Sequence, residues 1–276
     1  MTLRPLALAV LTGVAAQGCV AYNEQCTALV ENPTERIAFI AQDIYLDRPN
    51  ARHAANALGQ VVADAFVDAF STTSAPADLA VLNGGALRSE GICGQSRTTL
   101  RKGSLTNGGL HEIMLFENLV VAVDVTEPEV IAMFEHSLER LVSTGNQISS
   151  PAGQFLQVSK EVSFEADCSK APGTRLTSLT IKGVAVPLPM GNTTRKWRVA
   201  ASAFVFGGGD GYSMLVAPAK DPDRNPAQAQ RFGGVDSNVA ADYLRRTFNA
   251  DAASGVKLDG GRAKLNNCAV PGPPTG

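Results

Sequence analysis

The sequence predicts an α+β fold. Three features carry the prediction: a segment with apolar residues at helical spacing, a set of short apolar segments that end in Gly, Asn or Pro turns, and an order in which strands and helices mix without strict alternation. The segment RIAFIAQDIYL, Arg36 to Leu46, alternates loosely and predicts a strand; Asp47 to Asn50, with its proline, predicts a turn. In Ala54 to Phe70, Leu58, Val61, Val62, Ala65, Phe66 and Ala69 recur at the spacing of a helix. Asp78 to Leu82 reads as a short buried strand that runs into the turn Asn83-Gly84-Gly85. Residues 91 to 109 are polar and punctuated by glycine, a loop with room for a short helix.

Asn118 to Val125 (NLVVAVDV) is a continuous apolar run and predicts a central strand. Thr126 then supplies an N-cap, and Glu129 stands three residues on as in a capping box, so a helix follows to about Leu141. Strands are predicted at 155–158, 162–166, 178–181, 184–186 and 197–202, a Pro/Asp/Asn loop at 218–226 and a last helix at 239–248. The Pro/Gly tail, residues 269–276, reads as disordered.

Composition narrows the function classes. A chain of 276 residues with 45% hydrophobic and 18% charged residues can bury a core and is not a low-complexity segment. Lys and Arg number 24 against 26 Asp and Glu, a net charge of -2, so no basic excess exists to neutralise a phosphate backbone, and a nucleic-acid partner is not expected. No run approaches the ~20 apolar residues of a spanning helix.

The N-terminus reads as an export signal over residues 1–18: Arg4 precedes the apolar stretch Leu6 to Ala16, and small residues lead to Cys19. Ala15-Ala16-Gln17-Gly18-Cys19 resembles a bacterial lipobox, which would make Cys19 a lipidated mature N-terminus and the only membrane attachment; a plain secretory signal or a short buried helix are the other readings. An exported protein on this reading is periplasmic, at the cell surface or lipid-anchored. Without Cys19, the cysteines Cys26, Cys93, Cys168 and Cys268 allow 3 disulfide connectivities. A Cys26–Cys268 bridge would tie both ends of the folded region, 27–268, together.

Catalytic signatures are missing. Of the three histidines, His53, His111 and His136, none stands in an HExxH spacing, and each reads as structural or exposed. There is no Gly-x-Ser-x-Gly elbow and no phosphate loop of the GKS type. No catalytic residue and no resident metal are expected in this chain.

Three motifs carry the binding chemistry. In Leu82-Asn83-Gly84-Gly85-Ala86-Leu87-Arg88 a strand ends in residues that allow close backbone approach, and Arg88 offers a guanidinium fork for an anion or a flat heterocycle. Phe116-Glu117-Asn118 sets an aromatic and an amide at the mouth of the central strand. In Phe204-Val205-Phe206-Gly207-Gly208-Gly209-Asp210-Gly211-Tyr212 a strand ends in aromatics and a glycine loop around one carboxylate. Two aromatics from separate loops can sandwich a ring, and a loop carboxylate suits a ribose diol. The plainer reading is that the phenylalanines are core, as Phe206 is expected to be, and that the glycines only turn.

Taken in order, these motifs resemble the C-terminal domain of 5'-nucleotidases, the family that includes UDP-sugar hydrolases and ecto-5'-nucleotidases, over about residues 36–248. The resemblance rests on Arg52 with Leu58-Gly59, Asn83 to Arg88, Leu115 to Asn118, Thr126 to Leu138, Gly153-Gln154-Phe155-Leu156-Gln157-Val158-Ser159, and Gly208 to Tyr212. Leu115, Lys160 and Ala57 depart from the family pattern. The resemblance implies an α+β domain layered as an α/β/β/α sandwich with mixed sheets. It implies that Phe116 and Phe204 clamp a base, that Asp210 takes the ribose hydroxyls, and that Asn83, Arg88, Asn118 and Arg52 hold base and phosphate. Family enzymes carry their two divalent metals on an N-terminal metallophosphatase domain, which residues 1–35 are too short to supply. The expected partners are therefore a nucleotide or nucleoside and a separate metallophosphatase. A non-catalytic nucleoside-binding protein and a structural remnant are the alternatives.

Overall fold

The computed structural model describes residues 21–23, 28–90, 97–148, 151–225 and 232–274. The predicted export signal with Cys19, and also Cys26 and Cys93, lie outside the described residues. The first half of the chain contains β1 (Arg36–Ile40), β2 (Ile44–Tyr45), α1 (Arg48–His53), α2 (Ala57–Asp68), β3 (Leu79–Asn83), β4 (Thr99–Leu100), β5 (Gly103–Thr106), α3 (Asn107–Ile113), β6 (Leu119–Thr126) and α4 (Glu127–Leu138). The second half contains β7 (Leu156–Val158), β8 (Val162–Asp167), β9 (Leu176–Ile181), β10 (Val184–Ala185), β11 (Lys196–Ser202), α5 (Ala203–Phe206), α6 (Val216–Lys220), β12 (Phe232–Val235), α7 (Asp236–Thr247) and β13 (Ala263–Asn266).

A five-stranded mixed sheet, ordered β12-β6-β11-β3-β7, divides the molecule. β3 and β11 run parallel, and the other neighbours are antiparallel. Both faces are buried, which is why β3 and β6 read as unbroken apolar runs. Alternation sends Ala80, Leu82, Val120, Ala122 and Ala200 into a core with α2 and α7. Leu79, Val81, Val121, Val123 and Val199 enter a second core, shared with α4 and with a four-stranded sheet, β10-β9-β8-β13.

Local chemistry explains where the elements begin. The predicted helix at 54–70 starts at Ala57 because Asn56 caps it, its side chain accepting from the Leu58 and Gly59 amides at 3.0 and 3.2 Å. The proline expected to make a turn opens α1 instead, in the first turn, where no amide proton is needed. Glu129 accepts from the Thr126 amide at 2.9 Å, one arm of the predicted capping box. At the other end of α4, Arg175 donates to the carbonyls of Leu138 and Leu141, each at 2.7 Å, closing orphan acceptors. The predicted strand 36–46 is interrupted after Ile40, and its two pieces pair separately, with β5 and β4.

Of the connectivities left open by the sequence, the Cys26–Cys268 pairing is ruled out: Cys268 is bonded to Cys168. β13 pairs in parallel with β8, Asn266 opposite Asp167, so the residues that follow each strand are brought side by side. The bridge closes a loop of 100 residues, worth on the order of 4–5 kcal/mol in chain entropy. Beyond it, residues 269–274 lie on the domain, Asn50 donating to the Gly272 carbonyl at 2.9 Å.

Candidate functional site

Strand register gathers the three motifs. β3 and β11 are parallel, so Asn83 and Ser202 end at the same rim of the sheet. β6 is antiparallel to β11, Val120 opposite Ser202, which brings its entry, Phe116 to Asn118, to that rim as well. β7 is antiparallel to β3, Leu156 opposite Asn83, and delivers Gly153 there. The result is a cleft of about 160 Å³ lined by Arg52, Asn83, Gly85, Ala86, Arg88, Phe116, Asn118, Gly153, Phe204 and Asp210. All seven sequence-predicted residues stand on this one cleft, and neither Phe116 nor Phe204 is sealed in the core. A cleft beyond the carboxyl ends of parallel strands is a common ligand position.

The carboxylate is held firmly. Asn83 Nδ2 donates to Asp210 Oδ2 at 2.6 Å. Asp210 has φ 51°, the left-handed region that costs a non-glycine residue ~1–2 kcal/mol. Gly153 allows the carboxylate its place: a Cβ there would lie 2.6 Å from Asp210 Oδ2. Gly85 donates its amide to the Gly153 carbonyl at 2.9 Å, joining the two loops.

The aromatics are set differently from the sequence reading. Phe204 is not at a strand end: Ser202 caps a single helical turn, accepting from the Val205 amide at 3.3 Å, and the turn aims Phe204 toward the cleft while Phe206 is buried. The Phe204 ring lies where a Gly209 side chain would be. Phe116 is followed by Glu117 at φ 45°, which turns the chain sharply into β6. The Arg88 guanidinium stands over the Phe116 ring, 4.7 Å from its centre, a cation–π contact.

Cations occupy the remaining wall. Arg52 is 9% exposed and donates one Nη to the Pro151 carbonyl at 3.1 Å, while its Nε has no partner among the described residues. Burial, then the neighbouring Arg88 and Arg48 charges, push its pKa down from the usual arginine value. Asn118 donates to the Asp236 carboxylate at 3.4 Å. Asp236 is buried at the start of α7, and desolvation raises its pKa to about 6.

Residues 36–217 match the family described as 5'-nucleotidase, C-terminal domain. The chain belongs to that family. Among curated proteins it is similar to the trifunctional nucleotide phosphoesterase protein YfkN of Bacillus subtilis, 26% identical over 209 residues, which are 75% of this chain and 12% of that protein. It is 27% identical over 202 residues to a snake venom 5'-nucleotidase of Naja atra, covering 68% of this chain and 33% of the relative. Among solved structures, a 5'-nucleotidase precursor from Thermus thermophilus superposes with a TM-score of 0.63 at 24% identity, over 84% of this chain and 40% of the other. The NAD nucleotidase of Haemophilus influenzae gives 0.60 at 16% identity, over 85% and 38%. These structures share the fold, with its mixed sheets. The chain spans less than half the length of each of these four relatives.

Two residues that support this 5'-nucleotidase C-terminal domain cleft were not singled out as binding residues in the sequence. Asp236 lies beyond the matched region and in no motif. His136 sits behind the Asp210 loop on a helix whose apolar stripe gives no sign of it. Among the described residues, no group of three or more His, Cys, Asp or Glu is placed to hold a metal ion, and no helix is long and apolar enough to cross a membrane.

Proposed function

We propose that this domain recognises a nucleotide or nucleoside in the cleft and gives substrate specificity to nucleotide hydrolysis performed with a separately supplied metallophosphatase, outside the cytoplasm. The observation that carries the reading is the meeting, on one cleft, of two aromatic rings, a fixed carboxylate and two arginines that form no ion pair with the described carboxylate of the cleft wall. A base stacks between Phe116 and Phe204, each contact worth ~1–3 kcal/mol. Asn83 engages one oxygen of Asp210, which leaves the other to accept from the ribose hydroxyls. Arg52 and Arg88 supply donors to a phosphate, with the fork geometry that suits its oxygens. The divalent metals and the attacking water belong to the metallophosphatase; this chain binds and orients. The export signal with its Cys19 lipobox resemblance, and the Cys168–Cys268 bridge, support a location in an oxidising compartment.

Thermal unfolding with adenosine, AMP, UMP and UDP-glucose tests this. A ligand at about 100 times its Kd adds ~2.7 kcal/mol of stability. Unchanged melting curves with all four overturn the reading. Phosphate release from AMP with Mn²⁺ or Zn²⁺ is expected only when a metallophosphatase is added; sustained turnover by the purified chain would place the hydrolytic centre within it.

A further inference from the structure

The Asp210 loop has a brace behind it. His136, on α4, puts its Nε2 2.8 Å from the Asp210 carbonyl oxygen, and since a carbonyl only accepts, the Nε2 proton makes this bond. The other ring nitrogen, Nδ1, faces the Glu139 carboxylate at 3.1 Å, and since a carboxylate only accepts, Glu139 holds the ring when Nδ1 carries a proton as well. The ring also meets Tyr212 edge to face, centroids 4.9 Å apart at 81°. Gly211, at φ 88°, leaves the room: a Cβ there would stand 2.8 Å from the His136 ring. The circuit closes through Gln154, which donates to the His136 carbonyl at 2.6 Å and accepts from the buried Tyr212 hydroxyl. His136 does not line the cleft, so it touches no ligand there.

We propose that His136 is the positioning residue for the sugar end of the cleft: its ring holds the Asp210 main chain in the left-handed turn from which the carboxylate reaches Asn83 and the ligand. The argument is one of need. Asp210 adopts a backbone conformation that an L-residue leaves when nothing opposes it, and the hydrogen bonds it does make set its two ends. Asn83 fixes the carboxylate and His136 fixes the carbonyl, so the residue between is over-determined. Without the imidazole, the carbonyl is free to rotate, the φ of Asp210 relaxes, and the carboxylate withdraws from the ribose position. The proposal rests on the nucleoside reading for its binding consequence, and on geometry alone for the loop.

Calorimetric titration of wild type, His136→Ala and His136→Gln with adenosine, 2'-deoxyadenosine, uridine and 2'-deoxyuridine tests it, together with amide hydrogen exchange of the unliganded proteins. Wild type is expected to prefer the ribonucleoside by about tenfold, one hydrogen bond to a charged group. His136→Ala should bring that ratio below about twofold, and His136→Gln, whose amide can donate from the Nε2 position, should restore most of it. A merely structural residue would weaken ribo- and deoxyribonucleosides alike. In the free protein, the Gly211 and Tyr212 amides should exchange about tenfold faster in His136→Ala than in wild type, with α2 and α7 unchanged. If His136→Ala does not fold, Glu139→Ala, at an exposed position, should still lower the ribose preference about twofold by releasing the ring. A ribose preference and loop exchange that stay at wild-type values in the folded variants overturn the proposal. Wild type that binds no nucleoside sinks the functional reading instead, and the exchange comparison then decides the role of His136 by itself.

Discussion

The lining of the cleft divides into two groups of residues that are built in opposite ways. Around Asp210 each polar group named has a partner: Asn83 on the carboxylate, His136 on the carbonyl, Glu139 and Gln154 on His136. Around Arg52 the partners run out. Among the described residues, Arg52 Nε is buried without one, both ring nitrogens of the adjacent His53 are buried without one, and Arg88 rests on the Phe116 ring. The first group is preorganised for a neutral diol, whose hydroxyls gain from a carboxylate already in place. The second keeps cationic donors unspent, which costs stability in the empty protein and favours an incoming anion.

Acid titration breaks this comparison most directly. Burial, then the Arg52 charge, lower the His53 pKa from 6.5 to about 4, so His53 is neutral in the folded protein. Its contribution to stability is complete above pH 6.5 and is lost as pH falls through 4. Asp236, raised to about 6 from 3.8, has the opposite sign: its contribution is complete below pH 3.8 and is lost as pH rises through 6. Each amounts to about 3 kcal/mol across its window, so the two offset each other in wild type between pH 4 and 6. Urea unfolding over that range should unmask them. Asp236→Asn should lose stability as the pH falls, and His53→Leu should gain it; parallel pH profiles in wild type and both variants would contradict the assignment.

A smaller effect sharpens the division between the two groups. Arg52→Ala should weaken AMP by about 2 kcal/mol, roughly 30-fold, and leave adenosine within about twofold, because the lost interaction is with the phosphate. Equal losses for the two ligands, measured by calorimetry, would move Arg52 from the anion to the base or sugar. Smallest, Phe116→Ala and Phe204→Ala should each cost about 1.5 kcal/mol, roughly tenfold, for nucleoside and nucleotide alike. Phe116→Ala should add a further penalty for AMP only, since it removes the ring on which Arg88 rests.

What could be read from the chain was what one segment encodes alone. The helices with a full apolar stripe, the Thr126 and Glu129 start, and the apolar run of β6 are local signals, and the structure carries them within a few residues. Asn83, Phe116, Phe204 and Asp210 were legible only as a set: each motif alone also reads as core and turn, and it is their order along the chain that resembles the 5'-nucleotidase C-terminal domain. α1 and α5 escaped because six and four residues cannot display a helical period. The Cys168–Cys268 pair depends on which strand lies beside β8, a fact of topology rather than of spacing. His136 and Asp236 act through other residues, so nothing in their own neighbourhoods marks them.

The strand directions at the rim have one more consequence. Motif residues enter the cleft from just after β3 and β11 and just before β6 and β7, while the sheet interior is spent wholly on its two cores. Frame and contents are thus separately editable. Exchanging a rim side chain alters what is grasped and leaves the scaffold intact, so one architecture can drift among ligands of different shape without refounding its core.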